Sequence, residues 1–286
     1  VKISGYDKVE TELTKQLAAE GIDVHFVDDI ALAPKDVQLV IYTPAIPKQH
    51  AEFNFYIDNN YKVIKRSDAL KIITENSYNI CIAGTHGKTT TTTMLAHLLR
   101  DSGYGCNAFL GGISANYNTN FWSDKKNVCV IEADEYDRTF LKLSPDIAIV
   151  TSADPDHLDI YENAENFIEA FEAFTGKIKF GGVLYKKLGV KIKPQIENIC
   201  YYSLHNTNAD VYTSNIRLKE GGYYFDLHIK DDLLQNIHLN MGGLHNVENM
   251  IAAIAVAKQL GIDDEKIKKA VENFKGVKRR FEYIFK

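Results

Sequence analysis

Lys88 and Thr89 stand where an apolar run, Asn79 to Ala83, gives way to a stretch in which Met94, Leu95, Leu98 and Leu99 recur at helical spacing. Between the two lies Gly84-Thr85-His86-Gly87, a tight polar turn with two glycines. Strand, glycine turn and helix in that order form a cradle for phosphate, because backbone N–H groups and the positive end of the helix dipole face the anion. In such a cradle Lys88 reaches the outer phosphates of a nucleoside triphosphate, and the Thr89 hydroxyl ligates Mg²⁺. A strand-to-helix turn can need glycine for its geometry alone, but G-K-T at that junction is the more specific signal. The usual spacing G-x-x-x-x-G-K-[ST] is not met, since Ile82 occupies the first glycine's place and glycine arrives only at Gly84.

Four further stretches carry chemistry. Val128 to Arg138 reads VCVIEADEYDR, and Glu132 ends its apolar run. That placement predicts a carboxylate at the sheet rim beside the loop, where a second partner for Mg²⁺ belongs. Asp134, Glu135 and Asp137 suit a solvated acidic loop as well as a metal's surroundings. His157 follows Pro155 in an Asp-rich loop; neutral imidazole can ligate a second divalent ion, although a lone His is more often a satisfied polar residue. In Gly242 to Asn249, GGLHNVEN, the residues His245, Asn246 and Asn249 read most simply as a helix cap, while Asn also offers the paired donor and acceptor of an adenine edge. Lys278-Arg279-Arg280 reads by default as a surface basic cluster, and arginine also suits a transferring phosphoryl group.

These residues need a scaffold that brings strand ends together. Residues 1 to about 65 alternate strand and helix: strands at Val1–Ser4, Val24–Val27, Val37–Tyr42 and Lys62–Ile64, helices at Val9–Glu20 and Ala51–Asn59. The alternation predicts a parallel sheet of Rossmann type, entered part-way because no opening strand and glycine-rich loop precede it. Arg66 to Tyr78 bridges to the phosphate loop, with Ser67 a candidate N-cap, and sets the domain boundary at 66/67. Beyond the loop helix, Cys106–Leu110, Val128–Glu132 and Ile147–Thr151 predict a second parallel sheet, with ligands outside its carboxyl edge. Asn163–Thr175 is an amphipathic helix, residues 211–229 an antiparallel hairpin around Gly221-Gly222, and Asn246–Leu260 and Asp263–Phe274 two closing helices. The fold class is thus α/β: an incomplete Rossmann-like first domain, 1–66, and a P-loop-type ATPase domain, 67–286.

Composition narrows the partners. The 286 residues are 45% hydrophobic and 25% charged, as in an ordinary globular protein. A net charge of −5 gives no support for nucleic acid or an anionic membrane as partner, and no apolar run reaches membrane-spanning length. Cys81, Cys106, Cys129 and Cys200 lack metal-site spacing and read as buried reduced thiols of a cytoplasmic enzyme.

The compressed loop GTHGKTTTT resembles that of the Mur ligases, and the segments GYDK, YTPAIP, KRSDAL, EADEYDRTFL, DPDHLDIY, GLHNVEN and FKGVKRRFE extend the likeness in order and spacing over nearly the whole chain. The resemblance is to the branch acting on UDP-N-acetylmuramate. It implies ATP and Mg²⁺ as cofactors, bound by Gly84, Thr85, His86, Gly87, Lys88, Thr89 and Thr90. It implies metal ligation by Thr89, Glu132 and His157, adenine contact by Asn246 and Asn249 in place of a cap, and a phosphate contact by Arg279 or Arg280. The implied reaction activates the muramoyl carboxylate as an acyl phosphate, which an amine then displaces. The implied substrates are UDP-N-acetylmuramate and L-alanine, in peptidoglycan biosynthesis. A recycling enzyme that attaches a tripeptide to the same sugar nucleotide is the near rival, and a P-loop kinase or NTPase the distant one. Relative to the family, the opening glycine-rich loop and the C-terminal domain are missing, so residues 1–286 alone are expected to bind ATP without turning over.

Overall fold

The computed structural model describes residues 2–136, 138–155 and 158–278. The chain divides into two compact units, Val1–Ile73 and Thr74–Lys286. In the smaller unit, β1 (Ser4–Tyr6), α1 (Glu12–Ala19), β2 (Asp23–His25), β3 (Val40–Tyr42), α2 (Ala51–Asp58) and β4 (Val63–Lys65) follow in order, and α3 (Arg66–Thr74) closes it. The strands make two separate parallel pairs, β1–β2 and β3–β4, in place of one continuous sheet. The first helix starts later than the apolar spacing suggests. Thr11 caps it by accepting from Thr14 N while the Thr14 side chain accepts from Thr11 N, so residues 9 and 10 stay outside. Ser67 is no N-cap; α3 begins one residue earlier, at Arg66, directly from β4. At α2, His50 accepts from Phe53 N, and the Asp28 carboxylate accepts from Ala51 N at 2.8 Å and Glu52 N at 3.0 Å. A carboxylate on these otherwise unpaired donors favours the helix start.

The larger unit is built on a ten-stranded sheet. Its elements are β5 (Tyr78–Ala83), α4 (Lys88–Asp101), β6 (Asn107–Phe109), β7 (Phe121–Trp122), β8 (Val128–Glu132), β9 (Ile147–Val150), α5 (Leu158–Tyr161), α6 (Ala164–Thr175), β10 (Val183–Lys187), β11 (Ile199–Ser203), β12 (Val211–Lys219), β13 (Gly222–Ile229), β14 (Asp232–Leu239), α7 (Leu244–Gln259) and α8 (Asp264–Glu272). The strand order is β14-β13-β12-β11-β10-β9-β5-β8-β6-β7. Strands β12, β11, β10, β9, β5, β8 and β6 run parallel, while β7 at one edge and β13 and β14 at the other are antiparallel. β5 lies at the centre between β8 and β9, buried from Asn79 to Ala83, which is why it reads as a continuous apolar run.

Helix α4 is buried from Thr89 through Leu99, so it shows little polar face. Five consecutive β-branched threonines are poor helix formers, but Thr92 Oγ1 donates to Lys88 O and Thr93 Oγ1 to Thr89 O, both at 2.7 Å, so these hydroxyls are satisfied within the helix. Helix α6 presents Phe167, Phe171 and Phe174 at helical spacing, all fully buried; Phe171 and Phe174 pack against Phe140, and Phe167 against Phe171. Each such ring contributes about 2–3 kcal/mol by burial. Asn163 caps α6 by accepting from Asn166 N at 2.8 Å. The hairpin turn falls one residue before the expected place. Glu220 and Gly221 take positive φ and Lys219 pairs with Gly222, so Gly222 lies inside β13, where a side chain would meet Leu239 O at 2.7 Å. All four cysteines are free and buried; Cys81 and Cys129 sit within the central strands β5 and β8. No helix among the described residues is long and apolar enough to cross a membrane.

His97 of α4 is fully buried between Tyr117 Oη at 2.9 Å and Ala270 O at 2.8 Å. A carbonyl only accepts, so Nε2 carries the proton and Nδ1 accepts from tyrosine. Burial lowers the His97 pKa below its ordinary 6.5, so the unfolded chain protonates first as pH falls. This contribution to stability is therefore present above pH 6.5 and declines below it, towards the lower folded value. Thermal melts of wild type and His97→Gln should show the wild-type advantage shrinking from pH 7.5 to 5; a constant advantage would contradict the neutral buried ring.

Candidate active site

The phosphate loop leaves the carboxyl end of β5 and enters α4 through Gly87, whose φ of 84° is left-handed. No side chain among the described residues caps the helix, and its first N–H groups face the loop without an intrahelical partner. The strand that follows β5 in space holds the loop in place. Thr151, just past β9, donates through Oγ1 to His86 O at 2.5 Å, and Ser152 Oγ accepts from His86 N at 2.7 Å. Thr85 Oγ1 donates to Asp154 O at 2.8 Å. Both faces of the His86 peptide are thus fixed to the segment after β9.

Gly84 has no room for a side chain. Its φ is +149°, and a Cβ would lie 2.0 Å from Thr151 Oγ1 and 3.0 Å from Ser152 N. Gly84→Ala must therefore break the Thr151 clamp or displace the loop. The expected result is an ATP affinity at least ~10-fold weaker and a loss of about 1–3 kcal/mol in stability. Calorimetric titration and thermal melting check both; wild-type ATP affinity would refute the clamp's role.

Three charged groups converge on the loop. Thr89 Oγ1 donates to Glu132 Oε1 at 2.9 Å, and Gly111 N donates to Glu132 Oε2 at 2.8 Å. Gly111 is needed for this approach, since a Cβ there would stand 2.4 Å from each Glu132 oxygen. Burial pushes the Glu132 carboxyl up, against the lowering effects of Thr89, Gly111 and Lys88. Lys88 Nζ donates to Gly84 O at 2.8 Å and to Glu135 Oε1 at 2.6 Å. Glu135 is no solvated loop residue. Its side chain is 1% exposed, and Tyr161 Oη donates to its backbone carbonyl at 2.5 Å. The strand-end position of Glu132 was legible from its apolar run, whereas Glu135 turns inward only because Lys88 and Tyr161 meet it there.

Beside the loop opens a cleft of about 540 Å³, lined by His86, Gly87 and Thr90 on one side and by Tyr202, Met241, His245, Asn246 and Asn249 on the other. The cap of α7 is Gly243, not Asn246. Asn246 is 2% exposed and donates through Nδ2 to Gly242 O at 2.7 Å, which fixes the turn before the helix. Asn249 lies against the loop: a Cβ on Gly87 would come within 2.8 Å of its Oδ1. Lys187 and Glu248, joined at 2.7 Å, form another part of the wall and had no signature in the sequence. The structure thus gathers Gly84 to Thr90, Glu132, Asn246 and Asn249 about one loop; His157, Arg279 and Arg280 lie outside the described residues.

The donors fit Mg²⁺ with a nucleotide. Thr89 and Glu132 supply two hard oxygens side by side at a helix start, and Mg²⁺ is usually held by one or two protein oxygens together with substrate phosphates. No group of three His, Cys, Asp or Glu side chains among the described residues could hold a metal unaided.

The chain matches the Mur ligase middle domain over residues 82–257, which include this whole constellation, and the Mur ligase family catalytic domain over residues 1–78. The chain belongs to the Mur ligase family. Similar curated proteins include the UDP-N-acetylmuramate–L-alanine ligases of Porphyromonas gingivalis W83, 44% identical over 99% of this chain and 64% of that one, and of Cytophaga hutchinsonii, 44% identical over 99% and 63%. This Mur ligase chain therefore spans just under two thirds of the length of those relatives. Among solved structures, the UDP-N-acetylmuramate-alanine ligase of Thermotoga maritima superposes with a TM-score of 0.85 at 27% identity, over 99% of this chain and 65% of that one. The tripeptide-adding ligase of Neisseria meningitidis shares the fold, with a TM-score of 0.83 at 22% identity over 96% and 91%.

Proposed function

We propose that this Mur ligase chain carries the ATP site of an enzyme that joins L-alanine to the carboxylate of UDP-N-acetylmuramate, in peptidoglycan biosynthesis in the cytoplasm. The observation that carries the reading is the convergence of Lys88, Thr89 and Glu132 at the helix start beside a nucleotide-sized cleft. The choice of L-alanine is supported by relatives of that name at 44% identity.

In this reading the base occupies the cleft against Asn246 and Asn249, and the triphosphate runs over Gly87 to the N-terminus of α4. Thr89 and Glu132 would hold Mg²⁺, which supplies Lewis-acid stabilisation of the transferring phosphoryl group. Lys88 places positive charge where negative charge gathers on the γ-phosphoryl oxygens. A muramoyl carboxylate oxygen attacks the γ-phosphorus, ADP leaves, and the amine of L-alanine then attacks the acyl carbon and expels phosphate. By resemblance, His157 would serve a metal ion and one of Arg279 and Arg280 would meet the phosphates. Residues 1–66 are assigned to the UDP-sugar and 67–286 to ATP.

The test is phosphate release by the whole enzyme that carries this chain, with Mg-ATP and UDP-N-acetylmuramate in the presence of either L-alanine or the tripeptide. L-alanine-dependent release, with the sugar–alanine product seen by mass spectrometry, is expected. Release with the tripeptide alone would move the enzyme to recycling.

A further inference from the structure

Lys88 does not stand free in the phosphate loop. Its ammonium carries three N–H donors, and two are taken by the protein: Gly84 O at 2.8 Å and Glu135 Oε1 at 2.6 Å. The Lys88 side chain is 13% exposed and that of Glu135 only 1%, so the pair is withdrawn from water. Glu135 Oε2 is buried as well and has no hydrogen-bond partner among the described residues. A carboxylate so placed is strongly destabilised without its cation, which ties the Lys88 ammonium to one spot. The carboxylate is itself held, since the backbone carbonyl of its residue accepts from buried Tyr161.

We propose that Glu135 is a positioning residue for the phosphoryl-transfer step: with Gly84 O it fixes two of the three Lys88 donors and aims the third at the γ-phosphate. The proposal rests on the reading of this loop as a catalytic ATP site and adds to it a second carboxylate with a task different from that of Glu132. Glu132 meets the Thr89 hydroxyl and the Gly111 amide, whereas Glu135 meets the lysine. Two opposed consequences follow. Sharing the ammonium with Glu135 weakens its attraction for ground-state ATP, because part of its charge is already neutralised. Holding the ammonium in one orientation favours the transition state, where charge gathers on the γ-phosphoryl oxygens. A merely structural residue would not separate binding from turnover in this way.

The experiment compares, in the whole enzyme that carries this chain, wild type, Glu135→Gln, Glu135→Asp, Lys88→Met and the double variant Lys88→Met/Glu135→Gln. ATP affinity is read with a fluorescent ATP analogue, and turnover by phosphate release. Glu135→Gln keeps the shape and removes the charge. It should lower kcat by about 10–100-fold while ATP binds several-fold tighter than in wild type. Glu135→Asp keeps the charge but retracts it, so its kcat should fall between the two. In the Lys88→Met background, Glu135→Gln should change ATP affinity less than ~2-fold, because its effect runs through the lysine. Wild-type kcat in Glu135→Gln, or the same fold-change in affinity with and without Lys88, would overturn the proposal. The affinity measurements need no amine substrate, so they stand whichever acceptor the enzyme uses. A failure of L-alanine dependence would leave them intact.

Discussion

Lys88→Met is expected to lower ATP-dependent product formation by about 10³-fold. The side chain keeps its length and loses its charge, so the negative charge of the transferring phosphoryl group keeps the helix start but loses the lysine. ATP affinity should fall too, by about 10-fold, as one charge-assisted contact is lost. A second consequence follows from Glu135, whose side chain is 1% exposed and has Lys88 as its ion-pair partner. Removing the cation from a buried pair destabilises by about 3–5 kcal/mol, so Lys88→Met should melt well below wild type. Adding Glu135→Gln should recover much of that stability without restoring turnover. Wild-type affinity and turnover in Lys88→Met would show that the loop is not a catalytic phosphate site.

Glu132→Gln is the second large prediction. The amide fits the same space between Thr89 Oγ1 and Gly111 N, so folding should be little changed. What is lost is the negative charge beside the Thr89 hydroxyl. The Mg²⁺ concentration for half-maximal activity should rise at least ~10-fold, and kcat at saturating Mg²⁺ should fall by about 10²-fold. Activity against free Mg²⁺ checks this; an unchanged Mg²⁺ dependence would remove Glu132 from the metal site.

Much of this site could be read from sequence because its parts are local. The loop is contiguous, and the apolar run of β5 and the helical spacing after Thr89 fix strand, turn and helix without distant information. Glu132 was legible because a polar residue ending a buried strand must lie at the sheet edge. The α/β class followed from alternation, but the two separate strand pairs of the smaller unit did not, since parallel pairing depends on distant partners. Strands β10 and β11 escaped notice for the same reason: Val183–Lys187 and Ile199–Ser203 are short, carry polar residues and become strands by pairing with β9 and with each other. Thr151 and Ser152 look like any polar strand end until the loop carbonyl and amide of His86 are seen to meet them. By its residues alone Asn246 reads as a cap, and by resemblance as an adenine contact. The backbone assigns the cap to Gly243 and leaves Asn246 and Asn249 in the cleft wall.

The most direct test of the account follows one oxygen atom. UDP-N-acetylmuramate carrying ¹⁸O in its carboxylate is turned over with Mg-ATP and L-alanine, and the released phosphate is examined by ³¹P NMR. Attack of the carboxylate on the γ-phosphorus, followed by cleavage at the acyl carbon, transfers a single labelled oxygen to each phosphate. Phosphate without label would mean that water or another acceptor receives the phosphoryl group, and the ligase reading of this loop would fall.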